Sequence, residues 1–291
     1  MDPDNILNEI LKYKNLNIFI IRHAESEANS INSKMKSSYI YKIKYKKYYK
    51  NEKYKDSNLT GLGKFQTLRL KNFLINNNIY FDHVYCSPLI RTLETAYSCF
   101  NDSRDKDKLI SNKVIINPLL REIIKNISDL PNDYNITHEK IVNILNYKNF
   151  DNIFYTELIE ETNRTSEYPP KREKFSKNFD IITYKDYINV KKNCVQFWNE
   201  LLIKLRMSIM EYDNYEINIA LYSHNGFLNI LQKELVKRYS NKSNMSDIYS
   251  SLHNTEVKKL EFSRYNEFNY NTNNKIVLSI KSIYKYNNRI D

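Results

Sequence analysis

Two apolar runs of the sequence each end in a polar pair that contains a histidine. Residues 18–21 are followed by Arg22 and His23, and residues 217–222 are followed by a serine and His224. The planar guanidinium group of arginine suits phosphate, whereas an imidazole can act as a nucleophile or as a base. These residue types therefore predict an anion-binding site with a nucleophile or a base beside it.

Two more predicted strands bring polar side chains to their ends. Strand 84–86 leads to a helix with Pro88 at its first position and Arg91 one turn in, and strand 113–116 leads to Glu122. In a parallel α/β sheet, ligands bind in the crevice beyond the carboxyl ends of the strands. The four strand ends can therefore meet in one crevice.

Strands that alternate with helices indicate an α/β fold. We predict a three-layer α/β/α sandwich with a mainly parallel sheet and a helical cap insertion. A helix is predicted to begin at residue 61 with Thr60 as its N-cap, and its apolar face to include Phe65, Leu68, Leu70 and Phe73. The remaining predicted elements are a short helix within 1–16, helices at 184–210 and 227–238, and late strands at 257–262 and 276–280.

The chain shows no boundary between domains. No linker rich in proline, glycine or serine divides the 291 residues, so we predict a single domain over 1–291. Two segments lack clear periodicity: a basic loop at 30–58, and a polar segment at about 123–182 interpreted as a cap of short helices. The lysine- and tyrosine-rich part of the loop, 34–55, either steers anionic substrates toward the crevice or is a solvated loop with codon-driven lysines.

The composition bears on three questions: nucleic-acid binding, membrane association and secretion. The net charge is +11, but Asn, Lys, Tyr and Ile are abundant throughout the chain, so basic and aromatic residues do not by themselves indicate a nucleic-acid partner. No run resembles a membrane span, and the first residues lack the basic-then-apolar order of a signal peptide. Three cysteines without metal-ligand spacing favour a reduced, cytoplasmic protein. We predict no membrane partner, and a homo-oligomer is left open.

Five motifs, in order along the chain, resemble those of the histidine phosphatase superfamily in its phosphoglycerate-mutase-like branch. They are RHAESEAN at 22–29, LTGLGKFQT at 59–67, CSPLIRTLETA at 86–96, LLRE at 119–122 and SHNG at 223–226. All three glycines of the chain, Gly61, Gly63 and Gly226, lie in these motifs. Ala24 and Asn225 stand where the family commonly has glycine, and asparagine tolerates a left-handed backbone better than most residues.

The resemblance implies a role for each residue at the predicted crevice. His23 would be the nucleophile that forms a phosphohistidine, and nearby cations would keep it neutral by lowering its pKa. Arg22 and Arg91 would clamp the phosphoryl oxygens. His224 would donate to the transferring phosphoryl group and stabilise the charge of the transition state.

Two further roles come with alternatives. Glu122 would protonate the leaving oxygen and then activate water, although it could be only a solvated carboxylate. Asn29 would be a secondary phosphate or substrate contact, and a helix cap or a hydrogen-bonding linker is an equal alternative. The resemblance implies no metal and no cofactor.

Three functions are compatible with the sequence. The first is a metal-independent phosphomonoester phosphatase that acts through a phosphohistidine on a small phosphorylated metabolite or a phosphoprotein. The second is a phosphoglycerate mutase, which returns the phosphoryl group to substrate, and the third is a non-catalytic phosphate-binding scaffold. Family mutases resemble LNERHYG around the acid, whereas this chain reads LLREIIKNISDLPN at 119–132, which favours hydrolysis.

Overall fold

The chain is built around a six-stranded mixed sheet. The computed structural model describes residues 2–36, 51–100, 114–132, 139–140, 179–211, 215–239, 251–265 and 275–286. The strands are β1 (Asn15–Arg22), β2 (His83–Cys86), β3 (Val114–Ile116), β4 (Glu216–Ser223), β5 (Val257–Tyr265) and β6 (Lys275–Tyr284). They lie in the order β3-β2-β4-β1-β5-β6. Strands β1 to β4 are parallel, whereas β5 is antiparallel to both β1 and β6.

Helices cover both faces of this sheet. Those in the described residues are α1 (Pro3–Tyr13), α2 (Glu27–Lys36), α3 (Gly61–Asn76), α4 (Ile90–Phe100), α5 (Phe179–Ser208) and α6 (Asn225–Tyr239). Alternate residues of β1 enter two separate cores, because successive side chains of a strand point to opposite faces. Ile18 and Ile20 pack with α1, α5 and α6, whereas Phe19 and Ile21 pack with α3 and α4. The predicted three-layer α/β/α fold is confirmed.

The register of the parallel strands aligns their carboxyl ends. Arg22, the last residue of β1, pairs with Ser223, the last residue of β4. On the other side of β4, Cys86 at the end of β2 pairs with Tyr222, and Ile116 at the end of β3 pairs with Cys86. The four predicted strand ends therefore meet at one edge of the sheet.

Helix α3 begins where the sequence predicts, but its buried face agrees with the prediction only in part. Thr60 is its N-cap, and Thr60 Oγ1 accepts a hydrogen bond from Gly63 N at 2.9 Å. The prediction of Phe65 and Leu68 on the buried face was wrong, since they are 47% and 52% exposed. The buried residues of α3 are Gly63, Gln66, Thr67, Leu70 and Leu74.

The buried face of α3 is partly polar because it packs against the loop that follows β1. Gln66 Oε1 accepts a hydrogen bond from the backbone N–H of Glu25 at 2.8 Å. A Cβ atom at Gly63 would lie 2.1 Å from the carbonyl oxygen of Glu25, so only glycine allows this approach. The LTGLG motif therefore fixes the loop that carries the end of β1.

Helix α4 begins at Ile90, so Pro88 lies in the turn before the helix rather than at its first position. The N–H of Ile90 donates to Oδ1 of Asp56 at 2.8 Å, and this buried carboxylate satisfies a donor that has no partner within the helix. Asp56 has a left-handed backbone, with φ 44°. The contact ties the segment before α3 to the start of the helix that carries Arg91.

Most of the two predicted insertions lies outside the described residues, namely 37–50 of the basic loop and 133–138 and 141–178 of the cap. Of the described part, residues 30–36 belong to α2, and the start of the cap forms a 3₁₀ turn, Ile127–Asp129. None of the helices in the described stretches combines the length and the apolar character that crossing a membrane requires.

Candidate active site

Two buried histidines lie side by side at the carboxyl edge of the sheet. Because Arg22 and Ser223 pair in register, the residues that follow them, His23 and His224, emerge together. The N–H of His23 donates to the carbonyl oxygen of Ser223 at 3.0 Å, and the centroids of the two imidazole rings are 5.0 Å apart. The structure thus joins the two histidines that the sequence analysis selected.

The protonation of the His23 ring follows from its contacts. Nδ1 lies 2.7 Å from the carbonyl oxygen of Ala24, which can only accept, so Nδ1 carries the proton. Nε2 therefore presents a lone pair, to which Arg91 Nε donates at 3.3 Å. Burial, and then the charges of Arg91 and Arg22, hold the pKa of His23 well below its ordinary value. The ring is neutral near neutral pH, as nucleophilic attack requires.

His224 is held from α4 and from the end of β2. Its Nε2 lies 2.8 Å from Ser87 Oγ and 3.2 Å from Thr92 Oγ1. Burial first, and then the charge of Arg91, lowers the pKa of His224 well below its ordinary value. Its Nδ1 atom is buried and has no hydrogen-bond partner among the described residues. With a hydroxyl donating to Nε2, the N–H at Nδ1 is available to an oxygen atom of a ligand.

The two predicted arginines complete a cationic enclosure around His23. Arg22 Nη1 donates to the carbonyl oxygen of Leu252 at 2.8 Å, and its buried Nε has no hydrogen-bond partner among the described residues. Arg91 Nη1 donates to the carbonyl oxygen of Ser128 at 2.6 Å. Two guanidinium groups in a buried site favour an anionic ligand. Over the described stretches, no three His, Cys, Asp or Glu side chains are grouped to hold a metal ion.

Glu122 is buried against the SHNG motif rather than solvated. Its Oε1 accepts from the N–H of Ile123 at 2.9 Å, and its Oε2 accepts from the N–H of Gly226 at 3.3 Å. A Cβ atom at Gly226 would lie 2.0 Å from Oε1 of Glu122. The third glycine of the chain is therefore explained by the close approach of this carboxylate.

Asn29 lies in α2 and has contacts within the loop after β1. Its Oδ1 accepts from the N–H of Ser26 at 3.3 Å and from Asn254 Nδ2 at 3.4 Å. Asn254 Nδ2 also donates to the carbonyl oxygen of His23 at 2.9 Å. These bonds fit the alternative of a hydrogen-bonding linker, which holds the backbone that carries the nucleophile candidate.

Segment 251–256 belongs to the site, although no motif in the sequence marks it. Leu252 accepts from Arg22 through its carbonyl oxygen and donates through its N–H to Asn225 Oδ1 at 2.9 Å. Thr255 has a left-handed backbone, with φ 57°. Asn225, for which the sequence left such a backbone open, is instead the first residue of α6 without a positive φ. An Asn-Thr pair signals a turn, but not a contact with a strand far earlier in the chain.

Comparison with known protein families finds a match over the first part of the chain. The sequence model of the histidine phosphatase superfamily (branch 1) matches residues 18–125. The match begins in β1 and extends past Glu122, so it contains four of the five motifs. The resemblance to this superfamily is therefore confirmed over residues 18–125.

Solved structures resemble this chain at low sequence identity. A phosphoglycerate mutase from Bacillus anthracis str. Sterne is 12% identical, with a TM-score of 0.51, and the match covers 94% of this chain and 95% of that chain. A mycobacterial glucosyl-3-phosphoglycerate phosphatase is 15% identical with a TM-score of 0.47, over 91% and 97% of the two chains. No curated protein sequence matches the chain.

Proposed function

We propose that the protein is a metal-independent phosphomonoester phosphatase that acts through a phosphohistidine intermediate. The observation that carries this proposal is the state of His23: its Nδ1 proton is used by the Ala24 carbonyl oxygen, and its Nε2 lone pair faces Arg91. A neutral imidazole held beside a phosphate-binding cation is arranged for attack on phosphorus. The proposed substrate is a small phosphorylated metabolite or a phosphoprotein.

In the first proposed step, His23 Nε2 forms a bond to phosphorus while the ester P–O bond breaks. The leaving oxygen takes the proton of Glu122, which leaves a carboxylate. Arg22, Arg91 and His224 donate to the phosphoryl oxygens as their charge increases in the transition state. The products of this step are the free alcohol and the phosphohistidine.

In the second proposed step, the Glu122 carboxylate takes a proton from a water molecule as the oxygen of that water attacks phosphorus. The bond between phosphorus and His23 Nε2 breaks, and inorganic phosphate leaves. The neutral imidazole and the protonated carboxyl group are restored, so the cycle is balanced. All proton transfers use Glu122, whose buried side chain lies at the N–H of Gly226 near the start of α6.

The main alternative is a mutase, and the segment after Glu122 favours hydrolysis. Apolar side chains of Ile123 and Ile124 follow the acid and are buried. In mutases of the family the acid is followed by residues that resemble Arg-His-Tyr-Gly, so Ile123 and Ile124 stand where the mutases have an arginine and a histidine.

A direct comparison of the two reactions tests the proposal. With 3-phosphoglycerate and a bisphosphoglycerate primer, release of inorganic phosphate is expected to exceed isomerisation. The same preparation is screened against phosphorylated metabolites and phosphopeptides, with phosphate release as the readout. Isomerisation well above hydrolysis would restore the mutase, and neither reaction on any compound would favour the scaffold.

Gly226→Ala is expected to reduce activity much more than stability. The added Cβ would meet the end of the flexible Glu122 side chain, which can move away, so we expect a loss of stability of only about 1 kcal/mol. The moved carboxylate can no longer reach the leaving oxygen, so kcat should fall by roughly 100-fold. Thermal melting and phosphate release measure the two effects.

Gly61→Ala is the matched control for this change. A Cβ atom there meets nothing within 4 Å, so activity and melting temperature should stay close to those of the wild type. Equal activity losses in the two variants, or an unaffected Gly226→Ala, would contradict the proposed position of Glu122.

We also propose that this reaction takes place in the cytoplasm and that residues 1–291 form one domain. All three cysteines are free and buried. Free thiols persist in a reducing compartment.

A further inference from the structure

The guanidinium group of Arg91 has a different partner on each of its nitrogen atoms. Nε donates to His23 Nε2 at 3.3 Å, whereas Nη1 donates to the Ser128 carbonyl oxygen at 2.6 Å and Nη2 to Asp129 Oδ1 at 3.1 Å. Because the guanidinium is planar and its donors have fixed directions, these bonds determine how the group is turned. The Nε edge faces His23, and the outer edge, formed by Nη1 and Nη2, is bound by the 3₁₀ turn Ile127–Asp129.

Asp129 is itself held on both oxygen atoms. Oδ1 binds Arg91, and Oδ2 accepts from the N–H groups of Lys125 at 3.0 Å and of Asn126 at 3.1 Å. The side chains of Asp129 and Arg91 are only 8% and 4% exposed. Because both carboxylate oxygens are hydrogen-bonded and the pair is buried, the side chain of Asp129 is held in one position. The position of the turn therefore determines the position of the Arg91 guanidinium group.

We propose that Asp129 is a positioning residue that sets the orientation of Arg91 for phosphate binding. Together with the Ser128 carbonyl oxygen, it fixes the outer edge of the guanidinium and leaves the Nε edge for the phosphoryl group on its path to His23. The proposal rests on the proposed function, and it makes the 3₁₀ turn Ile127–Asp129 part of the phosphate site. Asp129 acts through Arg91 and is not assigned a contact with the substrate.

The charge of Asp129 gives this role a distinctive dependence on pH. Burial raises the pKa of Asp129 to about 6; Arg91 opposes the rise, and Glu122 adds to it. Lys125, on the same turn, also favours the charged carboxylate. Above that pKa the ion pair with Arg91 is intact, and as pH falls through it Asp129 becomes neutral and its hold on Arg91 weakens. The benefit of Asp129 should therefore be present at neutral pH and lost in acid.

The test compares wild type with Asp129→Asn, which removes the charge and keeps the shape. At about pH 7.5, kcat/KM for a phosphomonoester should fall roughly 10- to 100-fold, as expected for losing a charged hydrogen bond. The ratio of wild type to variant should then shrink toward one as pH is lowered to about 5. Titration of the substrate and of shared groups cancels in this ratio. A ratio that does not change with pH would overturn the proposal.

Asn126→Ala is the matched control within the same turn. Asn126 Oδ1 accepts from the N–H of Ser128 at 2.9 Å, so this variant loosens the turn without removing the ion pair. The Asp129 carboxylate is kept, so the ratio of wild-type to variant kcat/KM should not change with pH, and any loss caused by the loosened turn should be the same at about pH 7.5 and about pH 5. A ratio that shrinks toward one in acid for Asn126→Ala as well would assign the pH dependence to the turn rather than to the charge of Asp129, and would overturn the proposal. If Asp129→Asn fails to fold, Asp129→Ser, which also lacks the charge, gives the same ratio.

Calorimetric binding of sulfate separates this proposal from the proposed function. Sulfate keeps a constant charge over this pH range and needs no turnover. At about pH 7.5 its affinity should be several-fold weaker in Asp129→Asn than in wild type, because Arg91 is no longer aligned. Tighter sulfate binding in the variant would mean that Asp129 competes with the ligand for Arg91, and would overturn the proposal. Failure of wild type to hydrolyse any phosphomonoester would end the proposed function alone.

Discussion

Replacing His23 with alanine is expected to lower turnover by about 10⁴-fold or more, since loss of a covalent nucleophile removes the pathway itself. Rapid quenching of the wild type during turnover should trap a phosphoenzyme that is labile to acid and stable to alkali. The same protocol applied to His23→Ala should yield none. The physical reason is that Nε2 is the atom of the ring whose lone pair is free of a proton and directed at Arg91.

His253→Ala is a suitable control for this experiment. His253 is exposed, and it lies between Leu252 and Asn254, which contact the site through other groups. The control should keep both activity and phosphoenzyme. Full activity of His23→Ala would contradict the covalent mechanism. A phosphoenzyme that still forms in His23→Ala would show that another residue is the nucleophile.

Glu122→Gln is expected to have an effect that depends on the leaving group. An alkoxide is strongly basic and needs a proton as it leaves, whereas the phenolate of p-nitrophenyl phosphate leaves unaided. Hydrolysis of alkyl phosphates should therefore fall by about 100-fold or more, and hydrolysis of p-nitrophenyl phosphate by roughly tenfold or less. The glutamine side chain still fits between the N–H groups of Ile123 and Gly226, so the change tests the proton rather than the packing.

Glu94→Gln makes the same chemical change outside the site. Burial raises the pKa of Glu94 to about 7, which is a typical value for a general acid. Its Oε2, however, accepts from the N–H of Leu59, and the carboxylate lines a surface groove between α3 and α4. We expect equal, small effects on both substrates in this control. If Glu122→Gln instead lost activity equally on alkyl phosphates and on p-nitrophenyl phosphate, the proton donor would have to be another group.

The sequence by itself determined the order of the elements and the identity of the principal site residues. Runs such as 18–21 and 217–222 predict buried strands because their pattern is local, and the residue that follows each strand must lie at the edge of the sheet. The same reasoning placed Arg91 and Glu122 at that edge. Only the polar pairs at the strand ends, together with the motifs, were needed to select His23 and His224.

The tertiary structure alone decided which surfaces pack together. The sequence predicts Phe65 and Leu68 on the apolar face of α3, yet that helix buries Gln66 and Gly63 against the loop at Glu25. Periodicity shows that a helix has two faces, but its partner decides which face is buried.

The contacts that hold the site residues in place could likewise not be predicted from the sequence. Asn254 donates to the carbonyl oxygen of His23, which is 231 residues earlier in the sequence. The N–H of Gly226 donates to Glu122, which is 104 residues earlier. Asp129 and Arg91 meet because the 3₁₀ turn Ile127–Asp129 lies against the start of α4. Local propensity cannot predict such pairs, because it depends only on neighbouring residues in the chain. The two partners come into contact only after the sheet has formed.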